Sequence, residues 1–199
     1  MTNAHLGLLL AAWTVLGCER SAPPPRSTEA VDKPDTAAPL DICAGLDPEA
    51  CGVKGTQLSD DPRTELDSVP MLKTACARHD GRSCSNLGTE FSSSMNPKIR
   101  NPKKAVASYS DGCNLGYLTA CCHAAELIEA DTGVDKNVAL AAQLYKRGCD
   151  SDEGIFICCL GLARLYGKGG PGLVKDRTLR NAYYRRAKLL GYSDHLEDD

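Results

Sequence analysis

Along the C-terminal half of the chain, apolar side chains recur every three or four positions, and each such stretch ends near a glycine. DRTLRNAYYRRAKLLG runs from Asp176 to Gly191 with Leu179, Ala182, Tyr183, Ala187 and Leu190 at helical spacing. DKNVALAAQLYKRG predicts a helix capped at Asp135 and stopped at Gly148, and NPKKAVASYSDG one that begins near Pro102 and stops at Gly112. Partner helices fall near 83–93, 118–130 and 155–167. No stretch alternates apolar and polar residues as a half-buried strand would, so the expected fold class is all-α.

Cysteine punctuates this pattern. LKTAC (72–76), YSDGC (109–113) and YKRGC (145–149) place Leu72, Tyr109 and Tyr145 four residues before a cysteine, one helical turn away on the same face. YRRAK (184–188) keeps the tyrosine and the small residue but ends in Lys188, as suits a terminal unit with nothing after it. Cys43, Cys76, Cys113 and Cys149 stand 33, 37 and 36 residues apart, a period that predicts stacked helix hairpins. Cys51, Cys84 and Cys121 follow the first three at eight positions; Cys158 and Cys159 follow Cys149 at nine and ten.

Composition changes the picture in one respect. With 11 cysteines, two Phe and one Trp in 199 residues, the core must be built from small aliphatic groups. A chain of this kind compensates with disulfides, which need an oxidising compartment. LGLLLAAWTVLG (6–17) is too short to span a bilayer, and the VLGC that closes it resembles the bacterial lipoprotein signal. The organisation expected is a signal at 1–17, a lipidated Cys18 opening a Pro/Ala/Ser-rich tether over 18–40, a repeat domain over 41–192 and an acidic tail over 193–199. An ordinary secretory signal is the alternative; either exports the chain.

LARLYGKGGPGLVKD (162–176), followed by Ala182, Tyr183, Tyr184 and Ala187, resembles the Sel1-like repeat, a tetratricopeptide-like helix hairpin. SNLGTEF (85–91) repeats the theme less fully, and the likeness covers about residues 41–191. The cysteine spacing is similar to that of the secreted, cysteine-rich Sel1-repeat proteins of the Helicobacter type. That resemblance implies a short α-solenoid of about three or four antiparallel hairpins, each stapled by one disulfide. The implied pairs are Cys43 with Cys51, Cys76 with Cys84, and Cys113 with Cys121. For Cys149, raw spacing favours Cys158, whereas aligning Leu162–Tyr166 with Leu87-Gly88 favours Cys159, which is preferred. Cys122 and Cys158 are then left as an inter-repeat bridge or as buried free thiols, with free thiols the expectation.

Chemistry beyond structure is hard to find. Zinc sites favour two to four residues between paired ligands, and CxxC is absent, so no metal and no cofactor is expected. The resemblance also implies a rival reading as a β-lactam- or peptidoglycan-peptide-binding protein with weak β-lactamase activity. No serine, however, has lysine three residues on, and Lys73-Thr74-Ala75 only faintly echoes the KTG element. CCHAAE (121–126) reads as a stapled helix with a polar face. Two basic patches, one from Lys98, Arg100, Lys103 and Lys104, the other from Arg177, Arg180, Arg185, Arg186 and Lys188, lack the interleaved aromatics of a nucleic-acid platform. They read as solvated helix faces.

Shape is what remains. Stacked hairpins form a concave surface, and register places Asn86, Glu90, His123, Glu126 and Arg164 on it. The expectation is a monomeric protein- or peptide-binding scaffold of the bacterial envelope, facing the periplasm from the outer rather than the inner membrane through a lipid on Cys18, with no nucleic-acid partner.

Overall fold

The computed structural model describes residues 42–193 apart from 62 and 132. The run 6–17, Cys18, the tether and residues 194–199 of the acidic tail lie outside the described residues. Eight helices follow one another: α1 Pro48–Ser59, α2 Glu65–Ala77, α3 Gly81–Ser93, α4 Pro102–Asn114, α5 Leu118–Ala130, α6 Val138–Cys149, α7 Phe156–Lys168 and α8 Arg177–Leu189. Among the described residues there is no strand, only a bridge between Gly170 and Leu173. None of these helices is long and apolar enough to cross a membrane.

Local chemistry sets most helix starts. Asp47, Asp80, Asn101, Asn137 and Asp176 each accept a bond from a backbone N–H in the first turn that follows, satisfying a donor that the helix itself cannot. The cap of α6 is therefore Asn137, bonded to the Leu140 amide at 3.0 Å, and not the expected Asp135. Asp135 lies two residues too early, in the extended approach to the helix. Helices α5 and α7 have no side-chain cap, but each carries a bridged cysteine in its first turn, Cys121 and Cys159.

Every second connection carries a disulfide. Those at 78–80, 115–117 and 150–155 are stapled by Cys76–Cys84, Cys113–Cys121 and Cys149–Cys159, with Cα–Cα separations of 4.6, 4.8 and 4.8 Å. Cys43–Cys51 ties the segment before α1 to its first turn, with Cα atoms 5.5 Å apart. The three-residue turns need a left-handed residue: Gly116 supplies it at φ 90°, and His79 adopts it at φ 70°. The most extensive packing joins α1 to α2, α3 to α4, α5 to α6 and α7 to α8, across the unstapled loops. The disulfides thus lock the joints between successive packed pairs.

The fifth bridge departs from expectation. Cys122 and Cys158 are not free thiols: they bond across the array, α5 to α7, with Cα atoms 5.0 Å apart. Their separation of 36 residues is one repeat, and equivalent positions of successive repeats lie side by side. Gly148 makes room, because a Cβ there would collide with the Cys158 sulfur.

The positions four residues before the cysteines build the core. Leu72 and Tyr145 are fully buried and Tyr109 nearly so. The Tyr109 ring lies where a Cβ on Gly88 would stand, 2.6 Å from it, and the Tyr145 ring crowds Gly161 in the same way. One large cluster extends from Ala105 to Ala187, while Cys43, Cys51, Met71 and Ala75 form a small separate one at the N-terminal end. In α8 only Ala187 is buried, so the last helix covers the array and turns a polar face outward.

Candidate functional site

The odd-numbered helices form one side of the array. Across it, the closest approaches between non-consecutive helices are α1 to α3 and α5 to α7, which makes the odd set the inner row of the curve. The five residues assigned from sequence all stand on this row: Asn86 and Glu90 on α3, His123 and Glu126 on α5, Arg164 on α7.

Side-chain contacts divide them into four groups. The Asn86 amide donates to Thr56 Oγ1 of α1 at 2.8 Å, a contact 30 residues apart in sequence. Glu90, half-buried, has its carboxyl held above the usual carboxylate range by burial; a hydrogen bond from Ser59 opposes that, and the charges of Glu65 and Asp60 add to it. His123 Nδ1 lies 3.3 Å from Glu126 Oε2, one helical turn along, and its ring centroid is 5.3 Å from that of Tyr109.

Arg164 is bound more tightly than the sequence implies. Its guanidinium donates to both carboxylate oxygens of Glu129 on α5, at 3.3 and 2.6 Å, and to the Tyr145 hydroxyl at 3.2 Å. Tyr145 in turn donates to Glu129 at 3.4 Å. Burial, followed by the charge of Glu129, pushes the phenol above its ordinary range, so Tyr145 stays a neutral donor. Sequence reasoning missed Glu129, although it sits three residues after Glu126 on the same helix face and 35 before Arg164, close to one repeat.

Around this pair opens a cavity of about 490 Å³ lined by Glu126, Glu129, Ala130, Lys136, Arg164 and Lys168. Both signs of charge meet there on a rigid support. Such a surface can pair with ionic and polar groups of a chain laid across it; no serine or histidine on it is poised as an activated nucleophile and base.

Antiparallel helix pairs stacked in one direction, with a polar inner row and a covering last helix, define an α-solenoid with the Sel1-like repeat fold. A Sel1 repeat protein from Oxalobacter formigenes superposes with a TM-score of 0.65 at 17% identity, over 75% of this chain and 43% of that one. A protective antigen present in uropathogenic Escherichia coli strains, displaying an SLR fold, superposes at 0.64 and 17%, over 73% of this chain and 31% of that one. Cytochrome c oxidase assembly factor 7 of Xenopus tropicalis is 26% identical over 151 residues, 73% of this chain and 64% of that protein. The chain thus spans a little under two thirds of the curated relative and less than half of either solved structure. No protein-family model matches it.

Proposed function

We propose that this protein is an exported, lipid-anchored scaffold of the bacterial envelope that holds a protein or peptide partner on its inner row of helices. The observation that carries the reading is the inner row itself. Its polar side chains are fixed by contacts that run from one repeat to the next, Asn86 to Thr56 and Arg164 to Glu129, so they meet a partner already ordered. The name of the frog relative, an assembly factor, accords with scaffold work.

Cysteine usage supports export and anchoring. Ten of the eleven cysteines are paired, and the eleventh is Cys18, directly after the apolar run that ends VLG. Five bridges persist in an oxidising compartment. A lone cysteine at that point suits a thioether lipid.

The test has two arms, both in a Gram-negative host expressing the full chain. Cys18→Ser should abolish labelling by a palmitate analogue and move the protein to the soluble fraction. A photo-crosslinking phenylalanine analogue in place of Glu126 or Lys168 should trap an envelope partner, and the same analogue in place of Asn181 on α8 should not. Equal trapping at all three positions would sink the binding face; label that survives Cys18→Ser would sink the anchor.

A further inference from the structure

A second concavity lies apart from the cavity around Arg164. A groove of about 720 Å³ runs between α2 and α4, floored by the C-terminal half of α3 and closed at one end by the loop 94–101. Helices α2 and α4 both pack on α3 and not closely on each other, which leaves a trough about one helix wide. From α2 the wall is Leu66, Val69, Pro70 and Ala77; Leu87 and Phe91 form the floor and Ile99 the closed end. Leu66 is 53% exposed although its neighbours in the groove are apolar. The α2 wall from Leu66 to Ala77 is about 16 Å long, enough for two to three turns of a docked helix.

The groove is rimmed with positive charge. Lys73, Lys98, Arg100 and Lys104 stand round it with a single acid, Asp111, on a chain whose net charge is −3. None of the four cations makes an ion pair among the described residues. Lys104 rests over the Phe91 ring, 5.7 Å from its centroid. The loop that carries Lys98 and Arg100 is ordered: the amides of Ile99 and Arg100 donate to Asn96 O, each at 3.0 Å, the amide of Asn101 donates to Phe91 O at 2.7 Å, and Ile99 is buried. Three of these cations belong to the patch that sequence reads as a solvated face; the fold joins them to Lys73 of α2 around apolar walls.

We propose that this groove is a second docking site, whose occupant is an acidic amphipathic helix of a protein partner: apolar side chains against Leu66, Val69 and Phe91, carboxylates toward Lys73, Lys98, Arg100 and Lys104. A helix laid in an apolar groove with complementary charges at its rim draws affinity from the walls and orientation from the charges. None of Asn86, Glu90, His123, Glu126 and Arg164 lines this groove, although its floor is α3, so either set of side chains can bind without the other.

The experiment uses the full chain with its bridges formed and a fluorescein-labelled helical peptide of leucine and glutamate, about twelve residues long, read by anisotropy. The expected result is micromolar binding that weakens at least tenfold in Lys98→Glu/Arg100→Glu and several-fold in Leu66→Asn. All three positions are exposed and outside the core, so folding is checked simply by an unchanged thermal transition. Lys175→Glu, exposed and outside both sites, should leave the affinity within about twofold. A companion peptide with lysine in place of glutamate should not bind. Absence of binding, binding indifferent to the charge reversal, or binding to phosphatidylglycerol vesicles in place of the peptide would overturn the proposal. The inner-row proposal is read by its own crosslinks at Glu126 and Lys168, so failure of one leaves the other standing.

Discussion

Cys122→Ala/Cys158→Ala tests how far the repeats are held together across the array rather than along the chain. The bridge closes 36 residues of sequence. Cys149–Cys159 already shortens that path, so the loop released in the unfolded chain is about 28 residues, and the chain-entropy relation gives about 3.6 kcal/mol. By the same relation a staple over eight residues, such as Cys43–Cys51, is worth about 2.5 kcal/mol. Both sulfurs are fully buried, and the space beside Gly148 that now receives Cys158 would be left partly empty, which adds to the loss. Alanine is the right replacement because serine would bring a hydroxyl into an apolar site. Guanidinium titration followed by circular dichroism should show the loss together with a modestly steeper slope, because the unfolded chain without the cross-link exposes more surface, and the melting temperature should fall by roughly 8–14 °C. The reasoning is refuted if the cross-array deletion costs less than Cys43→Ala/Cys51→Ala, or less than about 1.5 kcal/mol. Either result would mean that the bridged repeats are already ordered relative to one another when unfolded.

Other perturbations probe separate contacts. His79→Gly places a permissive residue where φ is 70°, as Gly116 already does at the equivalent turn, and should stabilise by about 0.5–1 kcal/mol in the same titration. Gly161→Ala pushes a methyl group into the Tyr145 ring and should cost about 1–3 kcal/mol. The phenol of Tyr145 ionises at higher pH in the folded chain than in the unfolded one; its contribution is therefore complete below about pH 10 and falls as pH rises beyond it. Stability measured between pH 8 and 11 should show that decline, and Tyr145→Phe should remove this part of the slope. Glu90 is also raised, so it favours the fold most when protonated, below the usual carboxylate range, and least once ionised. Glu90→Gln should then stabilise more at pH 7 than at pH 4.

The helical phase was legible where a large apolar residue stands four before a cysteine, since Leu72, Tyr109 and Tyr145 each carry one joint of the core. The start of the array was less so. In α1, Gly52 and Gly55 weaken the apolar pattern and look like helix breakers, yet they are close-approach sites: a Cβ on Gly55 would stand 3.0 Å from Leu72, and one on Gly52 would strike Ser83. Pro70 interrupts α2 in the same way, at the cost of one backbone bond. On the inner row, the five residues assigned from register do share one row of helices, whereas the partner of Arg164 was not foreseen. Glu129 and Cys158 are both found only by stepping one repeat along the chain, from Arg164 and Cys122, because the fold brings equivalent positions together that composition and local spacing keep apart.

Two adjacent-cysteine pairs give the chain an unusual mechanical circuit. Cys113 is bonded to Cys121, the next residue Cys122 to Cys158, and Cys159 continues toward the C-terminus. A pull on the two ends therefore passes through sulfur from α4 to α5 to α7, and bypasses residues 114–120 and 123–157. Those roughly 42 residues cannot lengthen under load, which shortens the fully stretched molecule by about 150 Å until a bridge is reduced. Were the proposed lipid anchor and a bound partner to stretch the array, it would give way at α1 and α2, where the core is smallest, while α6 and the part of α5 after Cys122 stayed off the line of force.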